Sequence, residues 1–367
     1  MTDDYQQRRF AAFRAADRLL SGNRPQTLRE RLAALAADPD PGYDLDQRPD
    51  VYGDGVVRAL EEQVATLLGL PDAAFFPTGT MAQQVALRYW ADRSGSRVVA
   101  MHPLAHPEVH ERRALMRLTG LSTVWPTGEP RLPTPEELRS CEEHFGTLTV
   151  ELPLRDAGFV LPTWDELAAT LAAARELGAR VHLDGARLWE STVHLGRTLP
   201  EICALADSVY VSCYKTLGGL SGALLAGDEA FVREARVWRH RYGGQLFQQW
   251  PAAVTALAGI RHELPRLEQY VTHAKAVAAA LAEIPGARVS PDPPHTHQFR
   301  LWLPHDAEAL AGAGLRLAEE QGLALFGFWS PVGVPGQAMT EVTVAGPALE
   351  WSPEDVGKAV TALLALL

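Results

Sequence analysis

The sequence predicts an α/β protein in which a mainly parallel sheet is sandwiched by helices and is followed by a smaller α+β C-terminal domain. Short apolar strands alternate with helical patterns between residues 56 and 227, an order that is typical of parallel sheets. After about Gly244 the pattern changes to long helices and separate strands. The length of 367 residues also exceeds the usual limit of one hydrophobic core, so two domains are expected.

The N-terminal segment is predicted to be a helical arm, because apolar residues such as Phe10 and Leu28 recur on helix faces within residues 1–40. A polar, turn-rich stretch follows from Asp38 to Gly55. Loops of this length are often functional, although the composition equally fits a surface connection. The predicted domains are the arm (1–45), a large domain (46–250) and a small domain with its connecting helix (251–367).

The elements of the large domain follow from apolar runs and helical periodicity. Thr163 and Gly178 are the expected N-cap and C-cap of one helix. We predict helices over 56–70, 81–90 and 163–178 and strands over 73–77, 97–101, 146–153, 179–186, 208–215 and 222–227.

The small domain is predicted from the same signals. A helical region over 250–284 is broken by Pro265. Strands are expected over 299–304, 322–328 and 340–346, and helices over 307–321 and 352–367.

Composition excludes several classes of protein. The net charge is -11, and the basic residues are scattered without an aromatic-basic stripe, so we expect no nucleic-acid partner. The 3 cysteines show neither metal-ligand spacing nor a disulfide framework. The N-terminus lacks the apolar run of a signal peptide, and no apolar stretch is long enough for a membrane span. A cytoplasmic protein without a structural metal is expected.

Ligands of open parallel sheets bind at the carboxyl ends of the strands, and three such ends carry candidate groups. In the first, Thr78, Gly79 and Thr80 follow a strand and open a helix. Amide groups at a helix N-terminus, with a glycine and two hydroxyls, suit a phosphate. Plain helix capping by threonine is the competing interpretation.

The second strand end is His182–Glu190, where Asp184 is followed by Gly185 and Arg187. A carboxylate at this place suits the protonated ring nitrogen of a cofactor, and the arginine suits an anionic oxygen. A purely structural ion pair between Asp184 and Arg187 is the alternative.

The third strand end carries Lys215, followed by a small Thr-Leu-Gly-Gly turn. A desolvated lysine can act as a Schiff-base amine, whereas most lysines are solvated surface residues. Only Lys215, Lys275 and Lys358 occur in the chain, which favours a special role. A phosphate cradle, a carboxylate and a reactive lysine are together the parts of a pyridoxal 5'-phosphate (PLP) site.

The sequence resembles the PLP-dependent threonine aldolase and β-eliminating lyase family, which has the aspartate-aminotransferase-like type I fold. The resemblance runs from about Asp50 to Pro251 and is carried by the segments DVYGDG, FFPTGTMAQQVAL, HLDGARLWE, SVYVSCYKTLGGLSGALLAG and VWRHRYGG.

The resemblance implies roles for individual residues. Lys215 matches the Schiff-base lysine, and Asp184 matches the partner of the pyridine nitrogen. Gly79 and Thr80, with Thr78 before them, match the phosphate-binding turn. The other implied contacts are His106 stacking on the cofactor ring, Arg187 near the ring hydroxyl and the substrate carboxylate, and Arg239 in a segment that reaches the phosphate of a neighbouring subunit. A homodimer or homotetramer with shared sites is therefore expected.

The substrate half of the site departs from the family. Glu151 is retained, but Leu154 stands where a histidine contacts the substrate hydroxyl. Glu341 stands near the position of an arginine that binds the substrate carboxylate. Phe247 replaces an arginine, and the helical arm replaces an N-terminal strand with a serine.

New substrate contacts are therefore needed. Arg155 and Arg300 are candidates for binding the carboxylate, although both also fit surface arginines. Trp189, Tyr214 and Trp329 are candidates for an apolar pocket, although core packing is the commoner role of such residues.

The expected function is that of a PLP-dependent lyase that cleaves the Cα–Cβ bond of a β-hydroxy-α-amino acid. Lys215, His106 and Asp184 are its expected catalytic residues, and Arg187, Glu151 and Arg155 its expected substrate-binding residues. Another PLP reaction, such as β-elimination or racemisation, remains open. So do a PLP-binding protein without turnover and a phosphate-binding α/β protein without PLP.

Overall fold

The computed structural model describes residues 3–367. Met1 and Thr2, the first residues of the predicted arm, lie outside the described residues. The strands are β1 (Arg18–Leu19), β2 (Asp72–Phe76), β3 (Val98–Ala100), β4 (Ser122–Val124), β5 (Thr147–Glu151), β6 (Arg180–Gly185), β7 (Ser208–Ser212), β8 (Ala223–Gly227), β9 (Arg288–Ser290), β10 (Gln298–Leu303), β11 (Leu323–Ala324), β12 (Ser330–Pro331) and β13 (Ala338–Thr343).

The α-helices alternate with these strands over much of the chain. They are α1 (Asp3–Ala15), α2 (Leu28–Ala37), α3 (Val56–Leu68), α4 (Gly79–Ser94), α5 (His106–Val109), α6 (Pro135–Arg139), α7 (Trp164–Glu176), α8 (Thr192–Leu195), α9 (Leu199–Cys203), α10 (Glu229–Arg241), α11 (Trp250–His262), α12 (Leu267–Ala282), α13 (Ala307–Gln321) and α14 (Pro353–Leu364).

The larger compact unit, Asp38–Pro265, is built on a seven-stranded sheet with the order β2-β8-β7-β6-β5-β3-β4. The pairs from β7 to β4 are parallel, and only β8 runs antiparallel to its neighbours. Every residue of β5, β7 and β8 is buried, which requires cover on both faces because successive side chains point to opposite sides. The predicted mainly parallel sheet between helices is therefore confirmed.

The smaller unit contains the residues up to Ala37 together with Arg266–Leu367. Its main sheet is antiparallel, with the order β12-β13-β10-β9. Burial alternates along β10 and β13, as expected when one face of a sheet packs against helices.

The N-terminal arm is part of this smaller unit. The observed boundaries, after Ala37 and after Pro265, differ from the predicted ones at residues 45 and 250. Phe13 and Leu19 are buried in a cluster with Leu315 and Ala318. Tyr5 Oη donates to the carbonyl of Ala311 over 3.2 Å. Apolar residues of the arm therefore pack onto helix α13, which is distant in the chain, and sequence spacing does not reveal this contact.

Several predicted strands are shorter in the structure, among them those predicted over 322–328 and 208–215. The apolar segment 322–328 forms only β11, and its next residues Leu325 and Phe326 are buried without strand pairing. The strand before Lys215 ends at Ser212, because Cys213 begins a turn in which its carbonyl accepts from Gly219 N. Helix α7 has the predicted N-cap Thr163, but its C-cap is Leu177, and the predicted Gly178 follows one residue later with a left-handed φ of 82°.

Candidate active site

A cavity of about 310 Å³ lies at the carboxyl ends of β2, β6 and β7, within the larger unit. Because β8 is antiparallel to both of its neighbours, β2 and β7 run in the same direction and end at the same edge of the sheet. The cavity brings together predicted site residues from four separate segments, namely Thr78, Gly79, Thr80, His106, Asp184 and Lys215.

Lys215 lies in the turn after β7 and is partly buried. Its Nζ has no hydrogen-bond or ion-pair partner among residues 3–367. Burial and the nearby charge of Arg187 lower the pKa of this amine, while the charge of Asp184 opposes the shift. A lysine in this position has a larger neutral, nucleophilic fraction than a solvated lysine.

Asp184 is the penultimate residue of β6 and is 2% exposed. Its Oδ1 accepts a hydrogen bond of 3.1 Å from Ala186 N. Burial raises the pKa of this carboxyl, and the charge of Lys215 opposes that effect. A buried carboxylate of this kind is stabilised by a cationic group placed in the cavity.

The alternative of a structural Asp184–Arg187 ion pair is not supported by the described side chains. The Arg187 guanidinium instead lies 5.4 Å from the centroid of the Phe159 ring. Arg187 does not line the cavity, but its charge affects both Lys215 and Tyr214. Tyr214 does line the cavity.

The N-terminus of helix α4 faces the same cavity. Thr78 is the N-cap, and its Oγ1 accepts from Met81 N over 3.2 Å, so the predicted capping role is present. Gly79 and Thr80 precede the first amide that has an acceptor within the helix, so their N–H groups are available to an anion. A Cβ on Gly79 would lie 2.3 Å from Tyr210 Oη, which explains why glycine is required there.

His106, the first residue of α5, also lines the cavity. Its Nδ1 lies 3.4 Å from Oε1 of Glu111, which raises the pKa of the imidazole. The backbone N–H of His106 donates to Glu151 Oε2 over 2.8 Å. Sequence reasoning missed Glu111, whose spacing of five residues from His106 gives no signal by itself.

Glu151 and Leu154 line a second cavity of about 370 Å³, which lies beside the turn after β5. Glu151 is buried, and burial raises the pKa of its carboxyl to about 7. The backbone of Arg155 lies next to this carboxyl, because the main-chain N–H of Arg155 donates to Glu151 Oε1 over 3.3 Å. The charge of Arg155 also acts on Lys215.

Gln83 is a further cavity residue that sequence reasoning missed. It is 2% exposed, and its Oε1 lies 2.9 Å from His182 Nε2, while His182 Nδ1 lies 2.7 Å from Ser208 Oγ. Burial lowers the pKa of His182 to about 3, so this imidazole is neutral. Within the described range 3–367, the buried Nε2 of Gln83 has no hydrogen-bond partner, which makes it a candidate donor to a ligand.

Two other predicted residues of the larger unit do not line the cavity. Arg239 is buried, and its Nη1 donates to Phe75 O over 2.6 Å and to Glu61 Oε1 over 3.2 Å. Phe247 is exposed and packs edge-on against Tyr52. The suggested contact of Arg239 with a phosphate remains a prediction, and this guanidinium already has acceptors in its own chain.

The candidate substrate residues in the smaller unit have local partners. Arg300 Nη2 lies 3.5 Å from Glu341 Oε1, across the antiparallel pair β10–β13. Trp329 packs against Phe326 in an edge-to-face contact. In the larger unit, Trp189 is buried and donates from Nε1 to Ser212 O. Core packing therefore accounts for both tryptophans.

Within residues 3–367, no cluster of His, Cys, Asp or Glu is arranged to hold a metal ion. Over the same residues, no helix is both long enough and apolar enough to cross a membrane.

The family profile of the beta-eliminating lyases matches residues 44–301, which is most of the chain. The chain belongs to this lyase family. The predicted resemblance and the type I fold are therefore confirmed, and the protein is an enzyme of the lyase class.

Solved structures of the family superpose along nearly the whole chain. A putative L-allo-threonine aldolase from Listeria monocytogenes EGD-E is 33% identical, with a TM-score of 0.90 over 99% of this chain and 100% of that one. A putative aromatic amino acid beta-eliminating lyase/threonine aldolase from Exiguobacterium sp. 255-15 is 35% identical, with a TM-score of 0.89 over 98% and 100%.

A low specificity L-threonine aldolase from Escherichia coli K12 is 30% identical over 241 residues, which cover 64% of this chain and 72% of that protein.

Proposed function

We propose that this member of the family is a PLP-dependent lyase that cleaves the Cα–Cβ bond of a β-hydroxy-α-amino acid. The observation that carries the proposal is the unpartnered Lys215 amine, which shares one cavity with the buried carboxyl of Asp184 and the N-terminus of α4. The solved structures and curated relatives named above, which are called threonine aldolases, support the same reaction class.

The side chains present fit this cofactor. Lys215 would hold its aldehyde carbon, and Asp184 would accept a hydrogen bond from its protonated ring nitrogen. The N–H groups of Gly79 and Thr80 would bind the phosphate, with Gln83 Nε2 as a further donor. His106 would cover one face of the ring. When bound, PLP supplies an electron sink for the bond that breaks at the substrate α-carbon.

The protein residues then determine which substrate bond is cleaved and where protons go. Arg187 and Arg155 both lie close enough to influence the Lys215 amine, and we propose that they bind the substrate carboxylate. Lys215, once free of the cofactor, would return a proton to the α-carbon after cleavage. Glu151 accepts a hydrogen bond from the backbone N–H of His106. It would therefore act by positioning His106 and not by direct contact with the cofactor.

Borohydride reduction of the holoenzyme followed by peptide mapping tests the cofactor assignment. A pyridoxyl group should be found on Lys215, and a Lys215→Ala variant should carry none and show no turnover. A Lys275→Ala variant is the matched control and should behave as wild type. Modification of another residue, or full activity of Lys215→Ala, would contradict the proposal.

The reaction is tested by assaying glycine and aldehyde release from threonine, allo-threonine and phenylserine. Leu154, which lines the neighbouring cavity, offers no proton acceptor, and this observation favours β-elimination as the second candidate. Release of pyruvate and ammonia from a β-substituted amino acid, without cleavage of the hydroxy substrates, would support that alternative. A cofactor spectrum that no amino acid changes would indicate a PLP-binding protein without turnover.

We further propose a homodimer or homotetramer with shared active sites, acting in the cytoplasm on small amino acids. The exposed aromatic pair Tyr52 and Phe247 is a candidate part of the subunit contact. Light scattering coupled to gel filtration should give a mass of two or four chains, and a single-chain mass would contradict the assembly.

A further inference from the structure

We infer that His110, oriented by Asp156, accepts the proton of the substrate β-hydroxyl during Cα–Cβ cleavage. This inference rests on the proposed function and names a catalytic residue for it. The starting observation is that the His110 ring lies 5.2 Å, centroid to centroid, from the ring of His106, which lines the cavity shared with Lys215.

The position of His110 follows from the local chain path. The residues from Ala105 to His110 form one helical turn, closed by a hydrogen bond of 2.9 Å from His110 N to His106 O. Residues four apart on a helix project from the same side. The turn is fixed to the sheet by the bond from His106 N to Glu151. The His106 ring lines the cavity, and the His110 ring lies beside it.

The hydrogen bonding of His110 prepares it to accept a proton. Its Nε2 lies 2.6 Å from Oδ2 of Asp156, in the segment that follows β5. With Nε2–H donating to this carboxylate, the lone pair lies on Nδ1, which has no partner among residues 3–367. The carboxylate also stabilises the imidazolium that forms when Nδ1 takes a proton.

The neighbouring histidines are already committed to other contacts. Both ring nitrogens of His182 are hydrogen-bonded in the core, to Ser208 and Gln83. His102 uses Nε2 with Glu129 O and Nδ1 with Leu104 N. His106 faces Glu111 through Nδ1. His106 is also the ring proposed to cover the cofactor, which leaves His110 as the imidazole of these four that has a carboxylate partner, partial exposure and no other assigned role.

The proposed step balances without any added reactant. The O–H bond of the β-hydroxyl breaks, and its proton passes to His110 Nδ1. The electron pair left on oxygen forms the carbonyl bond of the aldehyde product, while the Cα–Cβ pair stays with the α-carbon. Lys215 later protonates that carbon, and His110 returns its proton to water after the aldehyde leaves.

A His110→Phe variant of the holoenzyme tests this assignment, because phenylalanine keeps the ring but accepts no proton. We expect kcat for phenylserine cleavage to fall about 10²- to 10⁴-fold, the usual contribution of a general base. Glycine has no hydroxyl, so the glycine-induced change in cofactor absorbance and the exchange of the glycine α-proton should stay close to wild type. The exposed His144 supplies a control, since His144→Phe should leave all three measurements unchanged.

Asp156→Asn tests the positioning role. It should lower kcat for phenylserine by a smaller factor than His110→Phe, leave KM nearly unchanged and leave the glycine measurements unaffected. Wild-type cleavage by His110→Phe, or an equal loss of cleavage and glycine exchange, would overturn the assignment of His110 alone. A wild-type holoenzyme that cleaves no β-hydroxy amino acid would overturn the proposed function itself, and this assignment with it.

Discussion

The backbone N–H of His106 donates a hydrogen bond of 2.8 Å to Oε2 of Glu151, although 45 residues separate them in the chain. This bond joins the short helix α5 to the end of strand β5. The same carboxyl accepts from Arg155 N, so one buried side chain organises two backbone segments beside the cavity. Glu151 therefore acts on the site through geometry as well as charge.

The buried state of Glu151 should appear in the pH dependence of stability. Burial raises the pKa of this carboxyl from 4.5 to about 7, and the charge of Asp184 adds to the shift. The folded protein therefore holds a proton that the unfolded chain has lost, so this group's contribution to stability decreases as pH rises from about 4.5 to 7.

Glu151→Gln removes that titration. The difference in unfolding free energy, variant minus wild type, should grow by about 1–3 kcal/mol as the pH is raised from about 5 to 7.5, with both proteins free of cofactor. Urea unfolding at several pH values measures it, and the exposed Glu176→Gln is the control. A difference that stays constant over this range would show that Glu151 titrates like a solvated carboxyl.

Asp184→Asn should keep the cofactor on Lys215 but weaken catalysis. A neutral amide loses one charge-assisted hydrogen bond, worth about 1.5–3 kcal/mol, which corresponds to roughly a 10- to 100-fold lower kcat. Steady-state assays and the cofactor absorbance maximum measure both effects. Asp92→Asn, on the exposed side of α4, should change neither. Wild-type kcat and a wild-type spectrum in the Asp184→Asn enzyme would contradict the assignment of Asp184 to the cofactor site.

Gly79→Ala should weaken cofactor binding. The added Cβ would lie 2.3 Å from Tyr210 Oη, so the tyrosine or the start of α4 must move. We expect the Kd for PLP to rise at least tenfold, measured by titrating the cofactor-free protein. Gly128→Ala is the control, because its Cβ would meet no atom within 4 Å.

The same contact can be tested from the other side. Adding Tyr210→Phe to Gly79→Ala removes the closest atom, and part of the affinity should return because the two residues touch. An undiminished loss in the double variant would mean that the glycine acts through something other than Tyr210.

Glu61→Gln should destabilise the larger unit strongly. This buried carboxylate forms ion pairs with Arg236 Nη2 at 3.0 Å and with Arg239 Nη1 at 3.2 Å. Removing one partner of a buried ion pair leaves uncompensated charge and costs about 3–5 kcal/mol. Its neighbour Glu62 is exposed, so Glu62→Gln should change the unfolding free energy by less than about 1 kcal/mol. Equal effects of the two variants would contradict a buried role for Glu61.

The residues proposed to hold the cofactor could be picked out from the sequence because their signals are local. The strand that ends near Asp184 and the turn that starts at Thr78 are each visible within about ten residues. Strand ends of a parallel sheet meet at one edge, so three separate segments could be placed together without a structure. Lys215 stood out because lysine is scarce in this chain.

Other features could not be read from the sequence because they depend on long-range packing. The Asp184–Arg187 pair looked reasonable at a spacing of three residues, yet Arg187 lies over Phe159. Arg300 is a candidate for binding the substrate carboxylate, and Glu341 stands near the position of a family arginine, but strand register pairs the two across β10 and β13. Register and side-chain direction are set by the whole sheet, and no local pattern encodes them.

The sequence by itself determined the fold class, the family and the position of Lys215 close after a buried strand, because periodicity and short motifs are properties of neighbouring residues. Only the tertiary structure decided which groups surround that lysine. It placed Gln83 and Glu111 in the cavity wall, set Asp156 against His110, and gave Arg239 a buried partner of its own. These relationships join residues far apart in the chain, and burial, which fixes their charge and hydrogen bonding, exists only after the chain has folded.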